Sequence, residues 1–166
     1  MKGGIILKKR NIIIITIVLV ALITLILFFS KTYKNIFTKD NKSTNLVQAE
    51  NVVKEHFKWW NEKNENKLKS TMTKDNSDIS WELENVDYVK LISVREDLSS
   101  NVKKGYMENG NGKYIKPNDV KVFTVQYEIK LKDNNKGPLS SGKHNQYYVV
   151  IKQNKNSSWL IDEIGQ

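Results

Sequence analysis

Few side chains in this sequence have a type and spacing that could do chemistry. There are two histidines, His56 and His144, and no cysteine. His56 lies close to the apolar stripe of a segment with helical spacing, where it can point inward beside Trp60 or Tyr127. Paired with a carboxylate such as Asp162, an inward histidine is a general acid–base arrangement. A packed histidine at the core boundary is the more economical reading. His144 falls in a polar loop and carries no expected role. Without cysteine, disulfides, thiolate metal sites, thiol catalysis and a lipid-bearing N-terminal cysteine are excluded.

The carboxylates pair as Glu82/Glu84, Glu96/Asp97 and Asp162/Glu163. On an extended segment Glu82 and Glu84 point the same way, which suits a cation, although a solvated face explains them as well. None of the phosphate-loop, dinucleotide, zinc-protease or calcium-loop patterns occurs. Asn109-Gly110-Asn111-Gly112 lacks a strand–loop–helix setting and reads as a turn. The expectation is a protein without catalytic residues, metal ligands or cofactor. The residues best suited to touch a ligand are Trp59, Trp60, His56, Tyr127 and Asp162. Trp59 and Trp60 are about 100° apart on a helix, so only one of them can face a core.

These residues must be positioned by a single small domain. Residues 12–29 carry 16 apolar side chains in 18 positions, interrupted only by Thr16 and Thr24. A helix of that length spans about 27 Å, close to the hydrocarbon thickness of a bilayer. Lys8, Lys9 and Arg10 precede it, and the exit Leu27-Phe28-Phe29-Ser30 is too bulky for a signal-cleavage site. A single-pass anchor is therefore expected, with residues 1–11 as a cytoplasmic tail and 30–44 as a linker. Residues 45–166 then form an extracytoplasmic domain, because long downstream domains cross largely regardless of charge.

The net charge of +9 falls to +5 over residues 31–166. Lysine, asparagine and isoleucine are abundant together, as AT-rich codons dictate. The excess is no argument for nucleic acid, and a domain outside the cell would not meet it. Anionic lipid or cell-wall polymer is the alternative attraction. The expected partners are the membrane itself and an unidentified protein or small ligand.

From Leu46, apolar residues at 46, 49, 53, 57 and 60 make one helical stripe. A short second helix carries Leu68 and Met72. After Ser77 the period becomes two. Strands are expected over 86–96, 119–132, 146–152 and 158–164, with a further short one at Trp81 and Leu83. In the first, Val86, Tyr88, Ile92 and Val94 share a face. Phe123, Val125, Tyr127, Ile129 and Leu131 form the buried face of the second. Loops fall at 108–117 and 133–145. Helices first and strands last define an α+β domain with an antiparallel sheet wrapped over the long helix.

Four segments carry a resemblance: FKWWNEKNENKLKST (57–71), WELENVDYVKLISV (81–94), DVKVFTVQYEIK (119–130) and WLIDEIG (159–165). Together they resemble the domain-of-unknown-function family numbered 4829 of Gram-positive clostridia and bacilli, over about residues 46–166. The resemblance implies an NTF2-like (cystatin-like) cone in a short secreted or membrane-anchored protein. Members often end in Trp-Gly where this chain has Ile164-Gly165, which implies a differently shaped pocket. It brings no catalytic residue. A non-catalytic binding module is the expected function. Alternatives are a scaffold subunit of a conjugation or secretion machine, similar in layout only, and a small-molecule enzyme using the cone.

Overall fold

The computed structural model describes residues 20, 22–29, 44–77, 79–99 and 101–165. The chain divides into two compact units, Met1–Thr44 and Asn45–Gln166. In the first, residues 22–29 are helical and expose their apolar side chains, from Leu22 through Phe29. No helix among the described residues is long and apolar enough to cross a membrane. All of the expected tail at 1–11, residues 12–19 and 21 of the expected span and all of the linker but residue 44 lie outside the described residues.

The second unit opens with helix α1 over residues 44–61. Its inward side chains Ala49, Val53, His56, Phe57 and Trp60 follow the spacing of three and four that one helix face requires. The helix stops at Lys63, whose φ of 57° is left-handed. The Asn64 amide donates to the Trp59 carbonyl at 3.0 Å and the Lys63 amide to that of Trp60 at 3.1 Å. This pair of bonds is the Schellman closure, formed here without glycine. Asn64 also caps α2 (Glu65–Ser70) through its side chain, which accepts from the Lys67 amide. The tight reversal directs residues 71–73 back along the sheet.

Four strands follow in an antiparallel meander: β1 (Val86–Glu96), β2 (Val120–Leu131), β3 (Gly142–Lys152) and β4 (Trp159–Gly165), in spatial order 1-2-3-4. The free side of β4 is closed by a parallel bridge from Met72 to Ile161. One sheet face carries Phe123, Val125, Tyr127, Ile129, Tyr148, Val150 and Ile161 against α1 and α2. The other face, with Val120, Val122, Val149 and Ile151, is covered by α3 (Asn101–Asn109) through Val102, Tyr106 and Met107. The fold is α+β, with the sheet sandwiched between α1 and α3.

Several expectations are corrected. Trp81 and Leu83 form no strand; residues 83–85 turn, and Glu82 has a positive φ of 46°. Helix α3 falls where no element is expected and runs into the expected loop at 108–117, because its apolar positions are too sparse to show a helical period. His144 lies within β3 rather than in a loop, its ring stacked on Tyr127 at 5.2 Å. The face expected for β1 also fails. Register shifts insert Asp87 and Ile92 as extra residues, so Val86 and Val89 are buried while Tyr88 and Ile92 stay exposed. A bulge changes the side of every residue beyond it, which a strict two-residue period cannot anticipate.

Candidate functional site

The side chains expected to meet a ligand separate into three places. His56, Trp60 and Tyr127 come together between α1 and the sheet. The His56 and Trp60 ring centroids lie 6.2 Å apart, and those of Trp60 and Tyr127 5.7 Å apart. Phe57 and Tyr148 complete this aromatic interior, at 5.0 Å from Tyr127 and 5.9 Å from His56 respectively. Trp59 is half-buried at the edge of the same core, with the Lys58 and Lys67 ammonium groups 4.3 and 4.1 Å from its ring centre. Asp162 belongs to neither place.

Asp162 is the extra residue of a β4 irregularity, since Val149 pairs with Glu163 and Val150 with Ile161. The insertion re-aims its carboxylate toward α3. One oxygen accepts from the Thr73 hydroxyl at 2.8 Å and the other from the Tyr106 hydroxyl at 2.6 Å. Asn76 donates to the Asp162 carbonyl. Burial and the bond to this carboxylate raise the Tyr106 pKa, so the phenol stays protonated as a donor. Both carboxylate oxygens are thus engaged in joining α3, the 71–76 segment and β4.

The His56 tautomer follows from proton counting. The Thr71 hydroxyl donates its single proton to the Leu68 carbonyl at 2.6 Å. At the 2.8 Å contact with His56 Nδ1, the hydroxyl must therefore accept, so Nδ1 carries the proton. Nε2 presents a bare lone pair. Burial lowers the His56 pKa to about 3, because the charged ring would lose its hydration with no carboxylate to replace it. A histidine held neutral in this way cannot serve as a general acid near neutrality.

The same burial makes stability depend on pH. An unfolded chain protonates His56 near its ordinary pKa of 6.5, whereas the folded chain does so only near 3. Between those values the unfolded state binds the extra proton, so stability falls as the pH falls. The expected loss is roughly 1 kcal/mol per pH unit across that window. Urea denaturation of the wild type and His56→Gln at several pH values checks this: the slope assigned to His56 should vanish in the variant.

Beside the aromatic interior, Trp81 lies on the 79–85 segment with its ring 4.7 Å from His56 and 4.9 Å from Trp60. Trp81 also lines a groove of about 670 Å³, together with Leu83, Glu82, Glu84, Lys132 and Asp133. Neither Trp81 nor Tyr148 was singled out from sequence as a ligand contact. Trp81 was read as a strand residue, and Tyr148 is one of a Tyr-Tyr pair whose inward member depends on register. Among the described residues, no group of three or more His, Asp or Glu side chains could hold a metal ion.

A long helix packed on an antiparallel four-stranded meander, with an aromatic interior and an adjoining groove, defines a small α+β domain. The profile of a family described as a domain of unknown function (DUF4829) matches residues 50–165. The chain belongs to that family. Comparison with curated proteins and with solved structures finds no match.

Proposed function

We propose that the chain is a single-pass membrane protein with its N-terminus in the cytoplasm. Its 45–166 domain, outside the cell, is an NTF2-like (cystatin-like) binding module without catalytic activity that captures a protein or small ligand near the membrane face. The uncharged 18-residue apolar run behind Lys8, Lys9 and Arg10 supports the anchor. The long helix enfolded by a meander supports the fold. The observation that carries the non-catalytic reading is the filling of the space between α1 and the sheet. His56, Phe57, Trp60, Phe123, Tyr127 and Tyr148 are each at most 2% exposed. The groups suited to acid–base work are committed to structural bonds, His56 to Thr71 and Asp162 to Thr73 and Tyr106.

Trp59 is the contact residue in this account. It offers a half-exposed indole with two lysine ammonium groups over its ring, which suits a partner with carboxylates around an apolar patch. Trp59→Ala forfeits two cation–π contacts and the core packing of a half-buried indole, and is expected to cost about 2 kcal/mol of stability, short of unfolding the domain. Partner recovery from membranes should nevertheless be lost. Thermal melting of the variant and co-purification with the full chain check both halves. If Trp59→Ala unfolds the domain, the residue is core and the reading is wrong.

A further inference from the structure

We propose that the end of the domain where α1 begins is a docking surface for the anionic phosphate headgroups of the bilayer that holds the anchor. It rests on the single-pass reading and names the face that meets the membrane. Residues 45–166 carry 19 Lys and Arg against 17 Asp and Glu, a net charge of +2. Two segments, 111–119 and 152–158, hold Lys113, Lys116, Lys152 and Lys155 against Asp119 alone, a net +3. The rest of the domain is therefore slightly acidic, and its positive excess comes from these two segments.

The fold brings the two segments together. A pocket of about 370 Å³ is lined by Asn45, Tyr114, Lys116, Asp119, Lys152 and Lys155. Among the described residues, none of the four lysines forms an ion pair. The Lys113 ammonium stands 5.9 Å from the ring centre of Tyr114. The turn that carries both is pinned onto α3. Its Ile115 amide donates to the Gly112 carbonyl at 2.9 Å, and Gly112 packs so closely on Tyr106 that an added Cβ would fall 2.5 Å from the ring. Tyr114 is left 91% exposed.

Three observations select a lipid surface as the occupant. Asn45 belongs to the first turn of α1, so the chain enters the domain at the wall of this pocket. Residues 30–43 are all that separate α1 from the end of the apolar run at Phe29, which bounds how far α1 can start from the headgroups. Charge is the second, since each lysine close to an anionic bilayer strengthens contact about fivefold. Tyr114 is the third, because the headgroup layer favours an aromatic ring with a polar tip. A soluble polyanion would use the lysines and gain nothing from Tyr114 or from the anchor.

The test places the full chain in lipid nanodiscs of phosphatidylcholine alone, or of phosphatidylcholine and phosphatidylglycerol in equal parts, and maps lysine acetylation by mass spectrometry. Phosphatidylglycerol should slow labelling of Lys113, Lys116, Lys152 and Lys155 by about threefold or more, and added salt should reverse the effect. Lys90 and Lys130, at the far end of the β1–β2 ladder, should be labelled equally in both discs. Lys113→Glu combined with Lys155→Glu, both at exposed positions, should restore labelling of Lys116 and Lys152 without lowering the melting temperature. Equal slowing at every lysine, or at none, overturns the proposal. So does equal protection by inorganic phosphate or soluble polyphosphate in phosphatidylcholine discs, which would make the pocket a site for free anions. A chain that fails to enter the discs overturns the anchor reading and this one with it. Entry without selective protection overturns this one alone.

Discussion

Phe123→Asp is expected to leave the domain unfolded at room temperature. Phe123 is 1% exposed at the middle of the sheet face that packs on α1. Removing a buried phenylalanine costs about 3–5 kcal/mol in cavity and transfer terms alone. The new carboxylate adds the cost of a buried charge placed opposite Glu96, its cross-strand neighbour, which is several kcal/mol more. Together these fall well inside the roughly 5–15 kcal/mol that holds a native domain together, enough to unfold a domain of this size. Far-ultraviolet circular dichroism and a urea transition check the outcome. A cooperative transition with a midpoint near that of the wild type would show that this sheet face is not the core.

Asp162→Ala should be the next most damaging change, and its effect should reach α3. The substitution strands the Thr73 and Tyr106 hydroxyls, each of which donates to a carboxylate oxygen. Hydrogen bonds to a charged acceptor contribute about 1.5–3 kcal/mol each, so a loss of about 3–5 kcal/mol is expected. Asp162→Asn keeps one acceptor oxygen and should cost about half as much. Because Tyr106 sits on α3, amide exchange over Asn101–Asn109 should accelerate more than exchange over β2. Coupling between Asp162→Ala and Tyr106→Phe in a double-mutant cycle identifies the bond as the cause. Equal acceleration across the domain would mean that Asp162 supports the fold generally and does not anchor α3.

Periodicity carried much of this architecture, and it failed where local geometry breaks the period. The stripe at Ala49, Val53, Phe57 and Trp60 and the alternation from Phe123 to Leu131 each report a buried face directly. The bulges at Asp87, Ile92 and Asp162 do not. Each moves a side chain across the sheet, which is why Asp162 was grouped with His56 although it bonds toward α3. Trp81 shows a different limit. It sits in an irregular segment, and its contact with His56 depends on a left-handed residue that nothing in the local sequence announces. Thr71 escaped notice for a similar reason, since its role depends on the reversal at Lys63 that sets it against the histidine.

The domain thus spends its buried histidine and buried aspartate on cohesion and leaves Trp59 half-exposed beside two lysines. Capture of a partner by that face is the central claim. Crosslinking in intact membranes, comparing the full-length wild type with Trp59→Ala at equal abundance, tests it most directly. The account predicts a discrete adduct with the wild type that is lost in the folded variant. The same adduct at the same yield from both chains would contradict it.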